Sequence, residues 1–425
     1  MRIGIIIGRI GDVDGVSLET EKWIQILKDM GHAIYLLSGR FRKSILGEEF
    51  ETVLPGLSFF SPECEWEQDR AFFYPPDDPD ELLDHLHRIS DAWAVEMFKW
   101  VMQNKIDVIL SENASALPAH LSMGMAIKKL VNHTGVKIVC HDHDFYWERG
   151  KRYTTPFPEV EKIIKETFPL QIPSAKHAVI NTAAKKYLRE NLGIKSVYVP
   201  NVMDFNQPYA EIDHYNHDLL NSIGIENDDI PIFQITRIVK RKGIETALEL
   251  LERFDDKRIK LVITGSAKDD ERKGYYRALI RDIKKRKLNG RAIFAYRRIL
   301  NDRDMTTDGE KIYSLSDAYA NAAACTYFSS YEGFGNAFVE AVLAKTPIFV
   351  NNYKPVYWPD IGSKGFKTVM IEDNKLTDES VAEAEKILHD KKLRREIVEH
   401  NFSLGKLLFS FDSIREKLEI LFETI

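Results

Sequence analysis

The segment from Ser329 to Ala341 carries two carboxylates and two glycines at a spacing that could bind a sugar or a nucleotide. Gly333 and Gly335 follow a predicted strand and precede a predicted helix, so free backbone N–H groups and the positive helix end would face this loop. Such a place suits an anion. Glu332 would lie in the loop and Glu340 about one and a half to two turns into the helix, where both can accept hydrogen bonds from vicinal hydroxyls. A tight turn without a ligand is the alternative.

Arg237 and Lys242 lie in a basic segment at the end of the first strand predicted for the second half of the chain. In an open parallel α/β sheet, ligands bind beyond the carboxyl ends of the strands. The Arg237 guanidinium offers a fork of donors and the Lys242 ammonium a point charge, so together they could neutralise a diphosphate. A solvated basic loop is the alternative.

His141 and His143 follow another predicted strand, in the first half of the chain. In an extended backbone both imidazoles would project to the same side, which makes metal ligation conceivable. A metal hydrolase built on this pattern needs further ligands in a supporting fold, and two consecutive Rossmann-like sheets do not supply that fold. We therefore predict no metal site here.

Two basic clusters also follow predicted strand ends in the first half of the chain. One contains Arg42, and the other contains Arg149 and Arg152. Guanidinium groups recognise phosphates and carboxylates in paired geometry, so these arginines could bind an anionic acceptor, with His143 beside them. Solvation of an ordinary surface explains the same residues equally well.

The elements that must position these residues alternate between strand-like and helical patterns, which predicts an α/β protein with parallel sheets. The first helix is predicted to follow a turn over 8–15 and to be capped by Ser17. One series of predicted strands covers residues 3–7, 33–37, 106–110, 136–140, 178–180 and 197–199. The second series covers residues 232–236, 259–263, 292–294, 323–328 and 347–350.

The two series predict two doubly wound, Rossmann-like domains, with a boundary near residue 203. We assign residues 1–203 to the first domain and residues 204–411 to the second. A final amphipathic helix over about 412–425 could return to the first domain, and packing on its own domain is the alternative.

The composition excludes several classes of protein. The 425 residues are 44% hydrophobic and 29% charged, which is typical of a soluble globular chain with core enough for two domains. The 59 Lys and Arg against 65 Asp and Glu give a net charge of −6, so nucleic acid is not expected as the main partner. Three scattered cysteines predict no disulfide framework. No uncharged apolar run approaches the roughly 18 residues of a membrane span, so we expect a cytoplasmic protein.

Together these segments resemble the GT-B glycosyltransferases of family 4, and the resemblance extends over nearly the whole chain. Residues 329–340 match a Ser, two residues, Glu-Gly-Phe-Gly and a second Glu eight positions after the first. Residues 237–243 match the family's Arg followed by Lys-Gly. Residues 344–347 stand in place of its Gly-Thr-Pro, with Lys345 where Gly is usual, and residues 200–204 resemble its interdomain Pro-Asn-Gly-Val-Asp, with Val202 replacing Gly.

The resemblance implies a GT-B fold of two Rossmann-like domains facing a central cleft, and a role for each matched residue. Arg237 and Lys242 would bind the diphosphate of the donor. Glu332 would contact the transferred sugar, and Glu340 would bind the ribose hydroxyls. The loop over 8–15 resembles the family's glycine loop at the donor. The implied catalytic residues are Glu332, His141, Arg237 and Lys242, and the implied donor-binding residues are Arg237, Lys242, Gly333, Phe334, Gly335, Asn336, Glu340 and Gly15.

The activity that the resemblance implies is transfer of a hexose, with retention, from a donor of the GDP-mannose or UDP-glucose type to a small acceptor that could carry a phosphate. Cations at the diphosphate make a metal cofactor dispensable, although a divalent metal could stimulate the reaction. A nucleotide-sugar epimerase or hydrolase and a non-catalytic sugar-nucleotide binding protein are the alternatives. Residues 141–148 resemble those of family members that make small glycosylated solutes such as mannosylglucosyl-3-phosphoglycerate.

Overall fold

The computed structural model describes residues 1–265 and 274–422, and these form two compact units. The first unit contains Met1–Asn201 together with the C-terminal segment that begins at Ile414, and the second contains Val202–Ser413. Of the helix predicted over 412–425, the last three residues lie outside the described part of the chain.

The first unit is built on a parallel sheet with the strand order β3-β2-β1-β4-β5-β6-β7. Its central strands are near-continuous apolar runs because helices cover both faces of a parallel sheet, and the side chains of Ile3, Ile5 and Ile6 are fully buried. The strands are β1 (Arg2–Ile7), β2 (Ala33–Ser38), β3 (Glu51–Val53), β4 (Val108–Glu112), β5 (Lys137–Asp142), β6 (Lys176–Val179) and β7 (Ser196–Tyr198).

The helices of the first unit are α1 (Gly15–Asp29), α2 (Pro62–Gln68), α3 (Asp80–Asn104), α4 (Leu121–Thr134), α5 (Pro158–Thr167) and α6 (Thr182–Leu192). The predicted cap of α1 is wrong. The carboxylate of Asp14, not the hydroxyl of Ser17, accepts hydrogen bonds from the first backbone N–H groups, so the helix begins at Gly15.

The second unit contains another parallel sheet, with the strand order β10-β9-β8-β13-β14-β15, and a separate antiparallel pair, β11 and β12. Its apolar core includes Ile232, Leu261 and Phe349, which are almost completely buried. The strands are β8 (Ile230–Gln234), β9 (Ile259–Ile263), β10 (Ala292–Phe294), β11 (Asp304–Met305), β12 (Lys311–Ile312), β13 (Ala324–Tyr327), β14 (Ile348–Asn351) and β15 (Val369–Ile371).

The helices that follow β7 are α7 (Leu219–Ser222), α8 (Ile244–Arg253), α9 (Tyr275–Lys285), α10 (Leu315–Ala320), α11 (Asn336–Leu343), α12 (Tyr357–Asp360), α13 (Asp378–His389), α14 (Lys391–Phe409) and α15 (Phe411–Phe422). Most of α15 belongs to the first unit. The ammonium of Lys176 donates to the carbonyl of Ile420 at 2.9 Å, and the ammonium of Lys417 lies 5.0 Å from the centre of the Tyr198 ring.

Every strand predicted from the sequence is present, with ends that differ by at most two residues, and the predicted α/β fold class is confirmed. The strands β3, β11, β12 and β15 were not predicted. Each has only two or three residues, too few for a periodic pattern to stand out from neighbouring loops. Across residues 1–265 and 274–422, no helix is long and apolar enough to cross a membrane.

The packing of α14 against α11 depends on Gly405. A Cβ atom at this position would lie 2.5 Å from Cγ1 of Val342 on α11 and 3.0 Å from the ring of Phe205. We expect Gly405→Ala to lower the free energy of unfolding by about 1–2 kcal/mol, because the overpacking cost of up to about 3 kcal/mol exceeds the gain of about 1 kcal/mol in helix propensity. Chemical denaturation measures the change. Ser403→Ala, at an exposed position of the same helix, is the control, and a stabilised Gly405→Ala variant would contradict this packing.

Candidate active site

Two loops meet at the carboxyl edge of the second unit's sheet, because β8 and β13 are neighbours in parallel register. The segment 235–243 follows β8 and contains Arg237 and Lys242, whereas the segment 328–335 follows β13 and contains Glu332. The sheet therefore brings together two motifs that are about 90 residues apart in sequence.

A buried cluster of charges joins the two loops. The ammonium of Lys242 contacts Oε1 of Glu332, and Nη1 of Arg241 lies 2.9 Å from Oε2 of the same carboxylate. Arg241 also donates to the carbonyl of Tyr331 at 2.8 Å. The side chains of Lys242 and Glu332 are each only 11% exposed, so this ion pair is shielded from solvent.

The electrostatic environment keeps Glu332 ionised. Burial alone would raise the pKa of Glu332, but the charges of Lys242 and Arg241 outweigh it and hold this pKa below its ordinary value. Burial also lowers the pKa of Lys242, and the attraction of Glu332 opposes that effect. With Arg241 beside the pair, the cluster retains a net positive charge.

Hydrogen bonds and one glycine position the basic loop. Nε2 of Gln234 donates to the carbonyl of Lys242 at 2.9 Å. The hydroxyl of Thr326 donates to Oε1 of the Gln234 side chain at 2.5 Å. Gly243 adopts a φ of +62°, and a Cβ there would lie 2.1 Å from the carbonyl oxygen of Phe328. A larger residue would therefore separate the two loops.

The glycine loop is tightly held against the sheet. Gly335 has a φ of +126°, and a Cβ there would fall 2.1 Å from Oη of Tyr353, whose hydroxyl donates to the carbonyl of Phe334 at 2.9 Å. The Phe334 side chain is buried and packs edge-on against Phe409. In the predicted donor site, Phe334 could therefore bind the donor only through its backbone. The same holds for Gly333, which precedes it.

Helix α11 begins at Asn336 and carries Glu340 in its second turn. The hydroxyl of Tyr319 lies 3.1 Å from Oε2 of Glu340 and 3.2 Å from the carbonyl of Ala337, so it fixes the carboxylate against the helix. Burial, and then the charge of Glu340, raise the pKa of Tyr319, which keeps this phenol a hydrogen-bond donor. Arg237 lies exposed on the loop after β8.

The first unit has a buried cluster of its own at the ends of β4 and β5, where Glu112 pairs in register with His141. Nδ1 of His141 and Nε2 of His143 each lie 2.8 Å from Oε1 of Glu112. The ring of Trp23 stacks on His141 with centroids 3.9 Å apart. All three members of the cluster are buried, with exposures of 0–5%.

The charges of this cluster are matched internally. Burial opposes ionisation of Glu112, yet the two imidazoles outweigh it and lower the pKa of the carboxyl. Burial also disfavours the charged form of His143, but hydrogen bonding to Glu112 holds its pKa above the ordinary value, while burial lowers the pKa of His141. These shifts favour the ionised form of Glu112, the charged form of His143 and the neutral form of His141.

The same three side chains are the one group of possible metal ligands identified among the described residues, with ligand atoms within 4.8 Å of one another. In the structure, both imidazole nitrogens are at hydrogen-bond distance from a single carboxylate oxygen. Glu112 therefore forms a hydrogen bond with His143 and lies beside Nδ1 of His141.

The predicted acceptor residues have local partners in the first unit. Arg42 lies 3.5 Å from the carboxylate of Asp12, and Arg149 lies 2.6 Å from that of Asp144. The guanidinium of the exposed Arg152 lies 5.6 Å from the centre of the Tyr153 ring. Gly15 is the exposed first residue of α1.

Sequence reasoning missed Arg241 and Glu112. Arg241 stands inside the predicted basic segment directly before Lys242, so the charge pattern could have identified it. Glu112 gave no such signal, because it lies just beyond a predicted strand and pairs with residues about 30 positions away. Only the register of β4 with β5 reveals it.

The two parallel α/β units have the GT-B fold, which is found in solved glycosyltransferases. A glycosyltransferase from Rickettsia africae superposes with a TM-score of 0.70 at 15% identity, covering 99% of this chain and 98% of the other. Anabaena Alr3699/HepE in complex with UDP-glucose superposes with a TM-score of 0.65 at 14% identity, covering 100% of both chains.

Sequence comparison then identifies the family. The mannosylglucosylglycerate synthase of Petrotoga mobilis is 31% identical over 398 residues, covering 87% of this chain and 86% of the relative. The synthase of the same name from Thermotoga maritima is 30% identical over 454 residues, covering 98% and 99%. The family described as glycosyl transferases group 1 matches residues 217–403, and the chain belongs to this family.

We expect Glu112→Gln to destabilise the first unit by about 3 kcal/mol, because it leaves a buried imidazole pair without its counter-charge. Glu112 raises the pKa of His143. The contribution of this interaction to the free energy of unfolding is therefore fully present below about pH 6.5, and it declines as the pH rises through the raised pKa. The difference from wild type should therefore be larger at about pH 6 than at about pH 9.

Denaturation followed by tryptophan fluorescence measures this effect, since Trp23 stacks on the cluster and all but one of the six tryptophans lie in the first unit. Glu148→Gln is the matched control. Burial raises the pKa of Glu148 to about 7, and an amide keeps an acceptor for the backbone N–H of Phe145, so its cost should stay below about 1 kcal/mol. Equal losses in the two variants would contradict the role of Glu112.

Proposed function

We propose that this glycosyltransferase moves a mannosyl group, with retention, from a nucleotide diphosphate sugar to a hydroxyl of a small glycoside that carries an anionic group. The observation that supports the donor is the cluster of Arg241, Lys242 and Glu332, with Arg237 on the same loop. The name of the two curated relatives, mannosylglucosylglycerate synthase, supports a mannosyl donor and a glucosylated glycerate as acceptor.

The charges at the carboxyl edge fit a diphosphate. Arg237, Arg241 and Lys242 provide three positive charges against the single carboxylate of Glu332, which leaves an excess to meet the phosphates. The HepE structure holds UDP-glucose in a protein of the same fold, which supports a nucleotide sugar as the ligand of this edge.

The proposed mechanism uses preorganised charge. When the bond between the sugar and the diphosphate breaks, negative charge grows on the leaving group and positive character on the sugar. Arg237 and Lys242 stabilise the leaving group from fixed positions, and Glu332 contacts the sugar. In this scheme no metal ion is required at the diphosphate.

Glu340 binds the ribose in this proposal. The hydroxyl of Tyr319 holds the carboxylate in one orientation, so little side-chain entropy is lost when Glu340 accepts hydrogen bonds from vicinal hydroxyls. Backbone groups of Gly333–Asn336 at the start of α11 support the phosphates.

Retention follows if the departing phosphate oxygen takes the proton of the acceptor hydroxyl on the face from which it leaves. The protein then needs to orient the two substrates rather than to supply a general base. The proposal keeps His141 near the donor sugar, with its ring buried between Trp23 and Glu112. We assign the anionic group of the acceptor to Arg149 and Arg152, with Arg42 and His143 as further candidates.

Arg237→Ala and Lys242→Ala should each lower turnover about a hundredfold, because each removes one preorganised charge worth about 3 kcal/mol in the transition state. Steady-state rates with GDP-mannose and a glucosylated glycerate measure the effect. Lys240→Ala, at an exposed position of the same loop, is the matched control and should stay within about twofold. Unchanged turnover in both test variants would refute the diphosphate assignment.

Arg152→Ala should raise the KM for the acceptor by about tenfold to a hundredfold and leave the KM for the donor unchanged, because a charge-assisted contact is worth about 1.5–3 kcal/mol. Kinetics with a glucosylated glycerate, its phosphorylated form and its neutral amide distinguish a carboxylate from a phosphate. Arg189→Ala, which removes an exposed arginine of α6, is the control. Equal use of the charged and neutral acceptors by the wild type would exclude an anionic requirement.

A further inference from the structure

A cavity of the second unit lies at the amino ends of its strands, on the sheet edge opposite Arg237 and Glu332. Its volume is about 470 Å³. The walls include Pro231 at the start of β8, Ala323 just before β13 and Pro347 just before β14. Because the strands are parallel, this edge is distinct from the one that holds the proposed donor site.

Four of the twelve residues that line the cavity are cations. Lys345, Lys391, Arg394 and Arg395 border it, and the residues that line it include no aspartate or glutamate. Lys345 forms an ion pair with Glu399 at 3.0 Å, whereas Lys391, Arg394 and Arg395 have no ion pair with any residue that the structure describes. Uncompensated positive charges around a concave surface attract an anion.

Helix α14 places three of these cations together. Its 19 residues begin at Lys391, and Arg394 and Arg395 follow three and four positions later, near the positive end of the helix dipole. The carboxylate of Asp390 already caps the backbone N–H groups of Lys392 and Leu393, so the side chains rather than the helix end are available to a ligand.

The fourth cation, Lys345, is held in an unfavourable backbone conformation. Its φ is +52°, in the left-handed region where a residue with a Cβ costs about 1 kcal/mol. Its ammonium lies 4.6 Å from the centre of the Phe402 ring on α14, beside Glu399. This conformation and these two contacts hold a lysine at the rim of the cavity.

We propose that this cavity binds a small phosphate-bearing metabolite at a site separate from the donor site. Guanidinium groups three and four positions into a helix can bind phosphate oxygens in paired geometry. The volume suits a ligand between a sugar phosphate and a nucleotide in size. The net charge of −6 argues against a long polyanion, which would meet repulsion beyond this local patch.

Calorimetric titration of the full chain with inorganic pyrophosphate tests the proposal. We expect Arg394→Gln/Arg395→Gln to weaken one class of binding sites at least tenfold. The matched control, Arg277→Gln/Arg281→Gln, removes the same charge from exposed positions of α9 and should stay within twofold of wild type. Arg237→Ala should retain this class of sites, because its side chain lies at the opposite edge.

Lys391→Gln provides a second test that does not depend on the arginines. This residue is exposed at the first position of α14, so its replacement leaves the fold intact, and we expect it to weaken the same class of sites at least threefold. The proposal is overturned if both arginine pairs weaken binding equally, since the attraction would then be non-specific. It is also overturned if Arg237→Ala alone abolishes all pyrophosphate binding.

Discussion

The buried ion pair between Lys242 and Glu332 is the interaction on which the candidate active site depends. It joins the loop after β8 to the loop after β13, and the close approach of Gly243 to the carbonyl of Phe328 makes that joining possible. A buried charge without a partner is costly, so each residue requires the other. The pair therefore holds the two loops together. It also keeps the charges of Lys242 and Glu332 shielded from water, where they act strongly on a charged ligand.

The first unit also holds a buried cluster of ionisable side chains, formed by different residues. Glu112 lies 2.8 Å from His143 at the ends of β4 and β5, and the ring of Trp23 stacks on His141. In both units the charged cluster lies where parallel strands end, because side chains from neighbouring strands converge there while the apolar core continues beneath. A parallel sheet thus supplies the rigid support on which buried charges can be kept in fixed geometry.

Much of the fold could be predicted because its signals are local. Apolar runs such as Ile3–Ile7 mark strands buried on both faces, and the basic segment around Lys242 and the glycine loop before α11 could be assigned to strand ends. The predicted N-cap of α1 was wrong because Asp14 and Ser17 are both residue types that cap helices. The backbone geometry at Asp14 decided between them. The short strands β3, β11, β12 and β15 carry too little periodic pattern to stand out from the neighbouring loops.

The sequence by itself determined the α/β class, the order of the main elements and the residue types at the carboxyl edge of the second sheet. The tertiary structure decided which residues contact one another. Arg241 and Lys242 both contact Glu332, Tyr319 contacts Glu340, and Glu112 contacts both histidines. It also brought Lys345 and the cations of α14 to one cavity. The physical reason is that periodicity and capping act within a few residues, whereas partners of buried charges are chosen by strand register and helix packing between residues about 20 to 90 positions apart.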